Sequence, residues 1–238
     1  GTGRLSEYYA LANRHGLRVI EDAAHALGSC YNGKLIGSFG DIICFSFDGI
    51  KNITSGEGGA ILSNDKLFIQ KVQDGRLLGI EKDTQMRFKG QRSWDFDVKE
   101  QGFRYHMSNI MAAIGIVQID RLEEFRKKRQ NIAKWYSKAF QDIIQIKILD
   151  YDFNEIMPHI FVIKAQKRDE LRSFLILNNI ECGIQYKPNH LHTKFSENFS
   201  LSISENIYDD ILSLPCHFDL TKVEQDFVIE KIKDFYRD

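Results

Sequence analysis

Asp22 and His25 stand three residues apart, just past an apolar run from Leu17 to Ile20 that reads as a short strand. Lys51 follows a second such run, Ile42 to Phe47. Gly56, Gly58 and Gly59 come next, and glycines let a ligand approach the backbone closely. A lysine shielded from water is a nucleophilic amine toward carbonyl compounds, and a nearby acid can keep a heteroaromatic nitrogen protonated. A Schiff-base lysine and an acidic partner are the two protein groups that pyridoxal phosphate chemistry requires. Ser46 could offer its hydroxyl to the phosphate. The same residues also fit a plainer arrangement, in which Asp22 caps a turn, Lys51 is solvated and the glycines make a hairpin.

Either reading depends on the elements that hold these side chains. Leu5 to His15 has apolar residues at helical spacing and ends at Gly16, a C-terminal stop. A strand ending in Glu21-Asp22 follows, then strands over 42–47 and 60–62. A helix feeding a strand that ends in an acid suggests an open α/β sheet, where ligands sit beyond the carboxyl ends of the strands. Residues 74–102 are polar and without period, a long loop in which Trp94 is most simply a packing residue. Ser108 reads as the N-cap of one long helix from Asn109 to about Phe140, with Ile110, Ala113, Ile114 and Val117 on one face. Beyond it, strands over 160–165 and 182–186, a helix over 169–177 and a capping box at Thr221-Lys222-Val223-Glu224 describe a smaller α/β domain. The expected division is a large domain over residues 1–141 and a small one over 142–238.

Composition narrows the function. Hydrophobic residues make up 43% of the 238, an ordinary globular share, and the 32 basic and 33 acidic side chains leave a net charge of −1. That balance excludes a strongly basic nucleic-acid binder. No apolar run is long enough to span a membrane, and no basic segment leads into an apolar one at the start, so a soluble cytoplasmic protein is expected. Cys30, Cys44, Cys182 and Cys216 form no C-x-x-C pair and are expected to be reduced. His190 and His192 lack a third ligand pattern, so no metal is expected. The charged run from Arg121 to Arg129 reads as a solvated helix face.

The literal strings say more than the spacing. Glu21-Asp22-Ala23-Ala24-His25-Ala26, Gly37-Ser38-Phe39-Gly40-Asp41, Phe45-Ser46-Phe47, Lys51-Asn52 and Gly56-Glu57-Gly58-Gly59 together resemble the DegT/DnrJ-type nucleotide-sugar aminotransferases, fold-type-I pyridoxal phosphate enzymes. The resemblance continues through Gly102 to Asn109, Gly183 to Tyr186, Pro188, His190 and Leu212 to Pro215. It implies Lys51 as the Schiff-base lysine and Asp22 as the partner of the pyridine nitrogen. It sets His25 beside the phenolic oxygen, where glutamine is common, and Ser46 at the phosphate. It also implies substrate contacts by His190 and Tyr186. Arg104 stands where many members have an asparagine that reaches the neighbouring subunit's phosphate.

The function so implied is transfer of an amino group from an amino acid, glutamate by preference, to a nucleotide-linked keto-sugar, in deoxyamino-sugar or surface-polysaccharide biosynthesis. The state implied is a homodimer. Family members carry a substantial part ahead of the position matching Leu5, with early strands and a phosphate-binding turn. The expectation is therefore the C-terminal part of such an enzyme, with an uncovered sheet edge at its first strand. The rival expectation is a non-catalytic remnant.

Overall fold

The computed structural model describes residues 3–81, 86, 89–91, 96–196 and 199–237; Trp94 lies outside the described residues. Helix α1 (Leu5–His15) ends where Gly16 turns left-handed at φ 64°, and the Leu17 N–H donates back to the Ala12 carbonyl. The chain then enters β1 (Ile20–Asp22), later than the run from Leu17 suggests. Residues 18 and 19 are held by side chains instead: Arg18 pairs with Asp41 and Asp65, and the Val19 N–H donates to Asp41 Oδ2 at 3.1 Å.

A small hairpin, β2 (Cys30–Tyr31) and β3 (Lys34–Leu35), turns at Asn32-Gly33, both at positive φ. Next come β4 (Ile42–Ser46), β5 (Gly59–Ser63) and α2 (Lys66–Gly75), the helix being capped by Asp65. The sheet order is β1-β4-β5, with β1 parallel and β5 antiparallel to β4. Among the described residues β1 has no strand on its other side, and its first residue, Ile20, is exposed, as is Leu17 just before it.

The expected single helix over 109–140 is two: α3 (Asn109–Asp120) and α4 (Leu122–Phe140), broken at Arg121, where ψ rises to 3°. The break falls where the side-chain pattern changes. Helix α3 is apolar nearly all round, and Ile110, Ile114 and Val117 are exposed along with Ile116 and Ile119. Helix α4 instead buries one stripe: Phe125, Arg129, Ile132, Ala133, Tyr136 and Phe140.

Two units divide between Glu123 and Glu124, earlier than the boundary after Gln141 drawn from the sequence. The reason is that the α4 stripe belongs to the core of the second unit. That unit has an antiparallel sheet β6-β7-β8 (Ile146–Ile148, Phe161–Ala165, Ile211–Leu214), with helices α5 (Arg168–Leu177), α6 (Ser202–Asp210) and α7 (Lys222–Phe235). Tyr136, Phe161, Ile163, Leu171, Leu175, Leu212 and Ile232 fill its core. The buried Arg129 guanidinium is fixed by donating to the carbonyls of Pro158, His159 and Cys216. The capping box on α7 is present in full. The expected strand over 182–186 is only a bridge, Gly183 to Ser213. The chain leaves β8 at Gln185, whose Oε1 takes the Ser213 hydroxyl, and Pro188 beyond it has no N–H to give.

Of the cysteines, Cys30, Cys182 and Cys216 are buried, Cys44 is half-buried, and none of the four is joined in a disulfide. Among the described residues no helix is long and apolar enough to cross a membrane.

The β4–β5 pairing is tight at Gly59, which faces Ser46; a Cβ there would lie 2.6 Å from the Phe45 carbonyl oxygen. Gly59→Ala is expected to cost about 1–3 kcal/mol by forcing the strands apart. The measurement is the urea midpoint, and an unchanged midpoint would show that the register yields without cost.

Candidate functional site

The parallel pairing of β1 with β4 puts their carboxyl ends on one rim. Asp22 is the last residue of β1 and pairs with Cys44; Ser46 is the last of β4. Past β1 the chain turns at once. Asp22 Oδ1 accepts the Ala24 N–H at 3.1 Å, so the turn-capping reading of Asp22 is met, and the side chain remains exposed. That turn presents His25. Past β4, Asp48 makes a second turn: its carboxylate accepts the Ile50 N–H and its carbonyl the Lys51 N–H. Asn52 then ties this loop to the first by donating to the Leu27 carbonyl at 2.9 Å.

The two turns bring Lys51 Nζ to 2.8 Å from His25 Nε2. Lys51 is thus half-buried and engaged, where the plainer reading left it in water. Burial pushes the His25 imidazole below its ordinary pKa, the Lys51 charge adds to this, and Asp22 opposes it. Burial raises the Cys44 thiol, and Asp22 raises it further. Asp22, His25 and Lys51 are therefore one electrostatic cluster. Ser46 stands at the same rim, where its Oγ accepts the Asp48 N–H at a long 3.4 Å. Arg104 lies on a different segment of this unit, exposed, on an isolated bridge to Leu77.

Gly58 and Gly59 close the loop back onto β5. A Cβ at Gly58 would strike the Met107 side chain, and its φ is 143°. The Phe47 N–H donates to the Gly58 carbonyl, and the Ser55 N–H to the Phe47 carbonyl. The Lys51 loop is hydrogen-bonded at both ends, so the amine is presented by a fixed turn.

The donor set fits pyridoxal phosphate. It offers an amine, a carboxylate, an imidazole and a hydroxyl at the carboxyl ends of two parallel strands, groups suited respectively to a carbonyl, a ring nitrogen, a phenolic oxygen and a phosphate.

The second unit carries the remaining two residues. His190 is buried on a short 3-10 turn, Asn189–Leu191, with its Nε2 2.8 Å from Glu205 Oε1; Tyr186 is exposed. Both line a cleft of about 610 Å³ with Gln185, Asn189, Phe195 and Phe199. Glu205 was not marked by any sequence motif. The signal available was its place in the first turn of a helix, where its carboxylate takes the Leu201 N–H.

A model described as the DegT/DnrJ/EryC1/StrS aminotransferase family matches residues 2–233. The chain belongs to that family. A UDP-4-amino-4,6-dideoxy-N-acetyl-beta-L-altrosamine transaminase of Campylobacter jejuni is 34% identical over an alignment that covers 98% of this chain and 64% of the relative. Helicobacter pylori PseC, an aminotransferase involved in pseudoaminic acid biosynthesis, superposes with a TM-score of 0.87 at 25% identity, covering 98% of this chain and 63% of that one. A Streptococcus pneumoniae protein solved in a PLP-form superposes with a TM-score of 0.80 at 27% identity, covering 92% of this chain and 57% of its own. The chain thus spans a little over three-fifths of the Campylobacter relative's length. The mixed α/β fold of this DegT-family chain is that of fold-type-I aminotransferases.

Since His25 is held down partly by the Lys51 charge, Lys51→Ala should raise the His25 titration midpoint toward the ordinary 6.5, as followed by imidazole NMR. The depressed value means that the unfolded chain takes up this proton more readily. Stability contributed through His25 is therefore lost as pH falls through 6.5, and Lys51→Ala should lessen that loss. An unmoved midpoint would mean that the two groups do not share a field.

Proposed function

We propose that this chain carries the catalytic lysine of a pyridoxal phosphate-dependent aminotransferase that aminates a nucleotide-linked keto-sugar. The observation that carries the reading is the 2.8 Å contact between Lys51 Nζ and His25 Nε2, beside Asp22, in a chain of the DegT family. The named transaminase of Campylobacter and PseC support a sugar acceptor, and the solved PLP-form supports the cofactor.

Pyridoxal phosphate, when bound, supplies a carbonyl that condenses with amines and a ring that takes up electrons from a neighbouring carbon. Lys51 is the amine of this chain that holds it. As a free amine, Lys51 Nζ would take the proton from the donor's α-carbon and would return one in the half-reaction with the keto-sugar. Asp22 would keep the pyridine nitrogen protonated. His25 would serve the phenolic oxygen, and Ser46 the phosphate. His190 and Tyr186 contact the nucleotide-sugar, and Arg104 serves the neighbouring protomer of a homodimer. Glutamate is the proposed donor and the cytoplasm the proposed location.

The test is spectroscopic and covalent. Protein mixed with pyridoxal phosphate should turn yellow, and borohydride should fix the cofactor on the peptide that contains Lys51. Lys51→Ala should lose both signals while keeping the fold, since the side chain lies on a turn outside the core. Lys51→Arg should fail equally, because a guanidinium stays protonated and forms no such bond. In the full enzyme, general-base loss alone should lower amination by roughly 10²–10⁴-fold. Asp22→Asn should bind cofactor more weakly and turn over at a small fraction of the normal rate. Label retained in Lys51→Ala would overturn the assignment. A chain that stays colourless would favour the rival reading, a remnant that holds no cofactor.

A further inference from the structure

The His190 ring is fixed from three directions. Its Nε2 lies 2.8 Å from Glu205 Oε1, Phe199 stacks on it with centroids 5.7 Å apart and planes at 22°, and its side chain is only 6% exposed. Glu205 is itself anchored. Its Oε1 accepts the Leu201 N–H at 2.7 Å, and both its oxygens accept the Ser200 hydroxyl at 3.0 and 3.1 Å. The His190 contact first, then these two, holds the Glu205 carboxyl below its usual range.

An ionised carboxylate only accepts hydrogen bonds, so the imidazole nitrogen facing it must carry the hydrogen. A neutral imidazole has one N–H. Here it is spent on Glu205, which leaves Nδ1 with a lone pair and no hydrogen. The ring lines a cleft walled by the aromatic side chains of Tyr186, Phe195 and Tyr208 and by the amides of Gln185 and Asn189. A lone pair in such a cleft receives a hydroxyl or N–H; it does not receive a phosphate oxygen, which also lacks a hydrogen.

We infer that Glu205 is a positioning residue that holds His190 as its Nε2–H tautomer, so that Nδ1 accepts a hydrogen bond from a sugar hydroxyl or amide N–H of the substrate. The inference rests on the proposed contact of His190 with substrate. It assigns that contact to the sugar and not to the diphosphate. Aromatic walls with a few convergent polar groups suit a sugar, whose C–H faces pack on rings while its hydroxyls seek fixed partners.

Two measurements test it, and they fail separately. Nitrogen-detected imidazole NMR on the full chain reads the tautomer directly. His190 should show Nε2–H and an unprotonated Nδ1 at a pH where it is neutral. Glu205→Ala should give a mixture of tautomers. Glu205→Gln, whose amide oxygen still accepts, should restore Nε2–H and guards against a simple folding defect. An Nδ1–H signal in the wild type, or an unmixed Nε2–H signal in Glu205→Ala, overturns the role of Glu205.

Calorimetric binding of UDP-N-acetylglucosamine and of UDP reads the ligand end, uridine being the nucleotide of the Campylobacter relative. His190→Ala and Glu205→Ala should each weaken the sugar nucleotide about 2- to 10-fold, the worth of one hydrogen bond, and leave UDP unchanged. Equal weakening of both probes overturns the assignment to the sugar. A His190→Ala variant that binds both like wild type overturns the substrate contact itself, whatever the tautomer.

Discussion

The parallel pairing of β1 with β4 is the constraint from which the first unit's chemistry hangs. Parallel strands share a carboxyl end, so the turn after β1 that carries His25 and the turn after β4 that carries Lys51 meet at one rim. The pairing is short, three residues of β1 against β4, so it needs support from elsewhere. Tyr9 provides some from α1. Its hydroxyl donates to the buried Glu21 carboxylate at 2.5 Å and accepts the Asp41 N–H at 2.8 Å, and this burial pushes the phenol up to about 12. Gly40 makes room for the arrangement: at φ 102° it brings the backbone so close that a Cβ would overlap both Glu21 and Tyr9. The Arg18 clamp between Asp41 and Asp65 closes the opposite end of the strand pair.

The cluster was legible because it lies close in sequence. Asp22 and His25 are separated by one turn, and Lys51 follows the next strand of the same sheet, so types and order nearly specify the meeting. The strings around them carried the family. The second unit was less legible. His190 and Glu205 lie fifteen residues apart across an irregular stretch, and no spacing rule joins such a pair. The helix break at Arg121 carries neither proline nor glycine. It follows from tertiary partners, since the segments on either side belong to different units. The β2–β3 hairpin could have been read, because Asn32-Gly33 supplies two consecutive positive φ angles. The isolated bridge at Gly183 could not, because an apolar run of that length fits a strand whether or not an edge is free to take it.

The second unit solves a different problem. Its sheet is antiparallel and its core is nearly all aliphatic and aromatic, yet Arg129 sits inside it with burial lowering its pKa. A buried guanidinium is costly to desolvate, and three backbone carbonyls offset that cost by gathering on one terminal nitrogen. Those carbonyls come from the segment that leads into β7 and from the one that leaves β8. The arginine therefore acts as a cross-brace between loops with no regular pairing of their own.

The distribution of the thiols has a consequence for following how each unit opens. Cys30 is buried in the first unit, and Cys182 and Cys216 in the second, where desolvation lifts the Cys216 thiol to about 11. A buried, protonated thiol does not react until the surrounding structure opens. Each unit thus contains its own chemical reporter, and alkylation rates at the separate cysteines distinguish a chain that opens in one cooperative step from one whose units open independently.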